Sequence, residues 1–133
     1  MLEVGTTGTV SMRVRNSDLA SAFAEANGER YPHVLSTPAL LGLMERACAQ
    51  AMAVEVGEGQ LSVGVKTEIS HTQPTALDVD VLARATLRAI EGALYWFDVE
   101  ATDPSGPVGV AKHARAIVER ASIERRAQQR RNG

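Results

Sequence analysis

The feature that most constrains the fold is a change of periodicity near Gly57. Before it, apolar residues recur at helical spacing and predict one long helix over Pro38–Val54. After it, apolar residues alternate along successive segments, which predicts strands. The predicted strands are Leu61–His71, Val79–Ala89, Leu94–Thr102 and Val108–Val118. Short turns join the last three into an antiparallel meander.

Upstream of the long helix, the sequence predicts a strand over Thr6–Arg15 and a short helix over Asp18–Ala26. A long amphipathic helix must bury its apolar stripe, and an antiparallel sheet with one apolar face offers the surface to do so. We therefore expect an α+β fold in which a sheet of about five strands wraps one helix. The 133 residues allow one domain, assigned to 1–120, and 121–133 form an Arg-rich tail expected to be a frayed, flexible helix.

Composition excludes several classes of function. The single cysteine, Cys48, cannot form an intrachain disulfide or a Cys-based zinc cluster, and it suits a reducing compartment. The formal net charge is −2, so binding of nucleic acid is not indicated. Neither a secretory leader nor an apolar run of membrane-spanning length is present in the sequence. We expect a cytoplasmic protein with no metal site and no membrane partner.

Glu45 is an anomaly on the long helix. It shares a stripe with Leu41, Cys48 and Met52, so its carboxylate is expected to face the sheet. Burying a carboxylate is costly unless it is paired. The alternative is that Glu45 lies at the edge of the stripe, or pairs with Arg46 or another surface base.

His71 and Thr37 are the other candidates. One face of the strand after the helix is predicted to carry Leu61, Val63, Val65, Thr67, Ile69 and His71. The His71 imidazole would then meet the helix, although a core histidine bonded to backbone is the commoner explanation. Thr37 precedes Pro38, where a hydroxyl residue caps a helix and also lies among the amides that can stabilise an oxyanion.

Two separated motifs resemble those of the hotdog-fold thioesterases of the fluoroacetyl-CoA thioesterase-like group. The segment Ser36–Cys48 is similar to the Thr-to-helix-Glu motif of that group, and Ser62–His71 is similar to its glycine-to-histidine strand. The resemblance extends to about Glu119. It implies a hotdog fold, hydrolysis of acyl-CoA and a homodimer or higher homo-oligomer.

The resemblance also implies site residues. Thr37, Glu45 and His71 would be catalytic, and Gly64 would bind substrate as the close-approach residue beside the thioester. His71 is the natural base. Thr37, Glu45 or a water molecule could each be the nucleophile, and the sequence does not choose between them. Coenzyme A would enter as part of the substrate, with no other cofactor.

Alternatives to hydrolysis remain open at this stage. A non-catalytic module of the same fold could hold an acyl or acyl-CoA ligand. A hotdog hydratase would need an Asp and His pair after the first strand, which is not found. The fluoroacetyl-CoA specialist carries a Phe-bearing lid before the main helix, where this chain has Phe23 and Tyr31. We therefore expect a generic short or medium acyl-CoA as substrate.

Overall fold

The computed structural model describes residues 1–133. Its strands are β1 (Thr7–Arg13), β2 (Gln60–His71), β3 (Asp80–Glu91), β4 (Leu94–Asp103) and β5 (Gly106–Glu119), and its helices are α1 (Thr37–Met52) and α2 (Arg120–Asn132). The strands form one antiparallel sheet in the order β1-β3-β4-β5-β2. This architecture confirms the predicted α+β class, with five strands and one long buried helix.

The core lies between α1 and the inner face of the sheet. Seven residues of α1 are buried, and every second residue of β3 faces them: Val81, Ala83, Ala85 and Leu87. The two alanines among them let the helix lie close to the sheet. The closest approach is at Gly8 of β1, where a Cβ atom would overlap the carbonyl oxygen of Ala47 and lie 2.7 Å from the amide nitrogen of Ala51.

The short helix predicted over Asp18–Ala26 is wrong. The segment forms two separate 3-10 turns, Asn16–Asp18 and Ala20–Phe23, divided by Leu19 in an extended conformation. Leu19 forms an isolated antiparallel bridge with Leu35, so pairing with a distant residue overrides local helix propensity.

The prediction that one face of β2 carries alternate residues from 61 to 71 is wrong for its first half. Gly64 pairs with Arg115, but Lys66 pairs with Ala114, so Val65 is an extra residue in a β-bulge. Side-chain parity reverses at the bulge. Residues 62 and 64 therefore share the helix-facing side with residues 67 and 71, while Val65 is 54% exposed.

The two ends of the sheet are edges, because β1 pairs only with β3 and β2 only with β5. After β5 the chain continues into α2, which begins where the Arg120 amide donates to the Gly59 carbonyl at 3.0 Å. No residue of α2 is buried. Its helical form agrees with expectation, and its flexibility remains a prediction. Neither helix combines the length and apolarity needed to cross a bilayer.

Candidate active site

The start of α1 and the end of β2 bring together two of the predicted catalytic residues. Thr37 is the first residue of α1 and His71 is the last residue of β2. The Thr37 Oγ1 atom lies 2.8 Å from His71 Nδ1. The other ring nitrogen of His71, Nε2, is buried and has no hydrogen-bond partner. Buried polar atoms are rarely left unpaired, so an orphan ring nitrogen is typical of a functional site.

Thr37 is not the helix cap that the sequence suggested. Ser36 is the N-cap, and its Oγ accepts a hydrogen bond from the Ala39 amide at 3.1 Å. The Leu40 amide donates to the Ser36 carbonyl, and Pro38 has no N–H. The Thr37 hydroxyl is therefore free to bond His71, and the amide of Thr37 itself is the first-turn donor left without a helical partner.

Glu45 lies two turns further along α1 and does not contact His71. Its Oε1 atom is 3.3 Å from Arg115 Nη1 and 3.6 Å from His113 Nε2. The carboxylate side chain is 40% exposed, so it lies at the edge of the apolar stripe and pairs with Arg115 rather than Arg46. Eight residues of helix separate Thr37 from Glu45 by about 12 Å. The single chain thus contains a Thr37–His71 pair and a separate Glu45 cluster.

The Glu45 cluster contains residues that the sequence analysis did not select. His113 and Arg115 lie on β5, facing α1, with exposures of 1% and 8%. Arg115 Nε donates to Ser62 Oγ at 3.0 Å, and Arg115 Nη2 donates to the Ser62 carbonyl at 2.9 Å. Thr67 Oγ1 lies 2.6 Å from His113 Nδ1. The signal that could have identified them is parity, because alternate residues 111, 113 and 115 of this strand face the helix.

Gly64 lies directly opposite this cluster. A Cβ atom at Gly64 would overlap Glu45 Oε1 and approach His113 Cε1 to 3.1 Å. The glycine therefore leaves space beside the Glu45 carboxylate that any other residue would fill. The close approach in the structure is to Glu45 and His113, and the role of Gly64 in binding the thioester stays a prediction.

The electrostatics of the cluster set the protonation of two groups. Burial lowers the pKa of His113 below its ordinary value, and the positive charge of Arg115 lowers it further. Burial raises the pKa of the Cys48 thiol to about 12. Cys48 therefore stays a neutral thiol near neutral pH and is unsuited to act as a nucleophile. The structure contains no group of three or more His, Cys, Asp or Glu side chains placed to hold a metal ion.

Comparison with known proteins places the chain in a family. The model of the FlK family, described as fluoroacetyl-CoA-specific thioesterase, matches residues 14–121. The chain belongs to this family. A curated fluoroacetyl-CoA thioesterase of Streptantibioticus cattleyicolor is 35% identical over 88 residues. That alignment covers 66% of this chain and 63% of the relative, which is less than two thirds of the relative's length.

Solved structures confirm the hotdog fold. A structure of the fluoroacetyl-CoA thioesterase FlK is 28% identical, with a TM-score of 0.91 and 97% of each chain covered. A hot-dog-like protein from Thermanaerovibrio acidaminovorans is 29% identical, with a TM-score of 0.83 over 97% of this chain and 93% of the other. A thioesterase superfamily member from Thermus thermophilus, 20% identical with a TM-score of 0.87, shares the fold over 99% and 97% of the two chains.

Proposed function

We propose that this family member hydrolyses an acyl-CoA thioester at the Thr37–His71 pair. The observation that carries the proposal is the 2.8 Å contact between a hydroxyl and an imidazole whose second nitrogen is buried and unpartnered. A nucleophile within hydrogen-bond reach of a base is the arrangement that nucleophilic acyl transfer needs. The family assignment supports the same reaction.

The proposed reaction uses this geometry in two stages. His71 Nδ1 takes the proton of the Thr37 hydroxyl as its oxygen bonds to the thioester carbonyl carbon. The C–S bond then breaks, and the coenzyme A sulfur leaves with a proton. Water hydrolyses the resulting acyl ester and restores the hydroxyl, so the net reaction consumes one water for each thioester. The Thr37 amide, which has no helical partner, is our proposed donor to the oxyanion.

Glu45 has a separate role in this scheme. Arg115 holds its carboxylate beside the space that Gly64 leaves free, away from His71. Because Glu45 lies about 12 Å along α1 from Thr37 of its own chain, we assign it to orienting the water that hydrolyses the acyl ester on Thr37 of a second copy, across the proposed β2 interface. A direct attack by Glu45 is the alternative, and intact-mass analysis of quenched reactions distinguishes the two. An acyl adduct absent from Thr37→Ala and present in Glu45→Gln supports the threonine.

The proposed substrate is a short acyl-CoA. Solved FlK structures include a complex with acetyl-CoA and a complex with fluoroacetate and CoA. In this chain, Tyr31 lies before α1, is 45% exposed, and donates its hydroxyl hydrogen to Glu29 at 2.9 Å. Phe23 is 48% exposed. Neither ring is packed in the core, and this supports a generic acyl preference rather than fluoroacetyl selectivity.

The proposed working unit is a homodimer joined along β2. This strand has twelve residues and one unpaired edge, and such an edge is a liability unless it is covered. His71 lies at its end, so pairing of two copies across a twofold axis would enclose both sites.

Thiol release over a panel from acetyl-CoA to decanoyl-CoA, with aromatic acyl-CoAs, tests the proposed function. We expect turnover above background on at least one short member. Absence of turnover on every member, with saturable binding of an acyl-CoA by calorimetry, would instead identify a non-catalytic binding module.

A further inference from the structure

His113 is a buried titratable group with no role yet in the proposed reaction. His113 is 1% exposed, faces α1 from β5, and contacts both Arg115 and Thr67. Its Nε2 atom lies 3.1 Å from Arg115 Nη1 and 3.6 Å from Glu45 Oε1. Because His113 lies beside both Arg115 and the Glu45 carboxylate, its hydrogen bonding affects the position of each.

Donor and acceptor chemistry assigns the tautomer of His113. A guanidinium has only donors, so Arg115 can bond Nε2 only if that nitrogen carries a lone pair. The proton of the neutral ring then lies on Nδ1, which donates to Thr67 Oγ1 at 2.6 Å. The chain of bonds runs from Arg115 through His113 to Thr67.

Arg115 is held at both ends of its guanidinium. Ser62 accepts from Nε and Nη2, while Nη1 is shared between His113 Nε2 and Glu45 Oε1. We propose that His113 is a positioning residue: as the neutral Nδ1–H tautomer it accepts from Arg115 and so keeps Arg115 in place to hold Glu45 beside Gly64. This inference rests on the proposed function, since it gives Glu45 a role in the reaction.

Protonation of His113 would break this arrangement. The imidazolium has two donors and no acceptor, so Nε2–H would face the donors of Arg115 and would bond Glu45 Oε1 instead. The groups that face the ring are Arg115, Glu45, the Thr67 hydroxyl and the backbone of Lys66, with apolar Phe97 as the paired residue on β4. Burial and the positive charge of Arg115 lower the pKa of His113 below its ordinary value, which favours the productive neutral form near neutral pH; acidification removes that form.

The first test needs no turnover. Nitrogen-15 NMR of the three histidines near neutral pH reports which ring nitrogen is protonated, and His113→Gln assigns the His113 signals by their loss. We expect protonated Nδ1 and unprotonated Nε2 for His113. A proton on Nε2, or an imidazolium near neutral pH, would overturn the proposal whatever the enzyme does.

The second test is kinetic and uses matched variants. His113→Leu removes the acceptor, and His113→Gln supplies an amide oxygen that can accept from Arg115 but cannot titrate. We expect His113→Leu to lower kcat by about ten- to hundredfold, as for loss of a hydrogen bond to a charged group, with KM nearly unchanged. His113→Gln should recover part of that loss. As the pH falls, its log kcat should decrease with a slope that is smaller by one proton than the slope of the wild type.

Thr67→Val is the control if His113→Leu does not fold. It removes the acceptor for Nδ1–H while keeping the side-chain shape, so it should lower kcat in the same direction and shift the NMR tautomer balance. The proposal would be contradicted if His113→Gln lost kcat on acidification as steeply as the wild type does. A wild-type kcat in folded His113→Leu or Thr67→Val would also contradict it. Absence of turnover by the wild type itself would sink the proposed function instead, and the NMR assignment would still stand or fall on its own.

Discussion

At the start of α1, two adjacent hydroxyl residues have separate tasks. The Ser36 side chain caps the helix, and the Thr37 side chain bonds His71. Ser36→Ala should therefore lower the free energy of unfolding by about 1 kcal/mol and leave activity per folded molecule close to that of the wild type. Thr37→Ala should do the reverse, with a large rate loss and little change in melting.

Thermal melting and thiol-release assays on Ser36→Ala and Thr37→Ala test this separation of the capping role from the catalytic role. The pair is a matched control, because each change deletes one side-chain hydroxyl at neighbouring positions. A Thr37→Ala variant that melts early but retains its rate would return Thr37 to the structural role that the sequence alone favoured.

Gly64 leads to a second residue-scale prediction. A methyl group there would overlap Glu45 Oε1, which ends a half-exposed side chain that can move aside. Gly64→Ala should fold and lose activity. At Gly8 the added methyl would meet helix backbone, which cannot move, so Gly8→Ala should destabilise the fold by about 1–3 kcal/mol or more. Chemical denaturation and thiol release on both variants test the contrast; equal stability losses would refute it.

The site residues differ in how far the sequence could predict them. Thr37 and His71 were selected from motifs and do meet. The contact of Glu45 with Arg115 was missed, because the side chain that pairs with a helix residue depends on which strand lies beneath it. Strand order and register are set by long-range pairing, such as that of Gly64 in β2 with Arg115 in β5, and periodicity does not report such pairing.

At the scale of elements, the long helix and the four strands after it were predicted within a few residues. Local periodicity determines such elements, because burial on one face repeats along the chain. The bulge at Val65 and the turns around Leu19 were not predicted. Both depend on pairing with distant residues, which overrides the local pattern.

The element with least to bury is α2. Its thirteen residues include no buried one, and an isolated helix of that length is marginal in water. Deletion of residues 121–133 keeps the hydrogen bond from the Arg120 amide to the Gly59 carbonyl. The melting temperature should therefore stay within a few degrees of that of the full chain, because changes to exposed residues usually have small effects on stability. Aggregation or loss of the folded state after deletion, measured by circular dichroism and light scattering, would show that α2 docks as a structural helix.

For the whole molecule, the open edge of β2 predicts self-association. Light scattering should give at least twice the 14.2 kDa chain mass. Val65 is 54% exposed on that edge, so Val65→Arg should place like charges across the seam and weaken the dimer. Val54→Arg, at an 86% exposed position after α1, is the matched control and should leave the dimer intact. A fully active monomer, or equal effects of the two changes, would refute the proposed interface.

The central claim is that His71, acting with Thr37, performs thioester hydrolysis. Thiol release by wild type and His71→Ala on the best acyl-CoA, normalised to folded protein, tests it most directly. We expect His71→Ala to lower kcat by about a hundredfold to ten-thousandfold while the melting curve is preserved. A folded His71→Ala variant that turns over the thioester at the wild-type rate would contradict it.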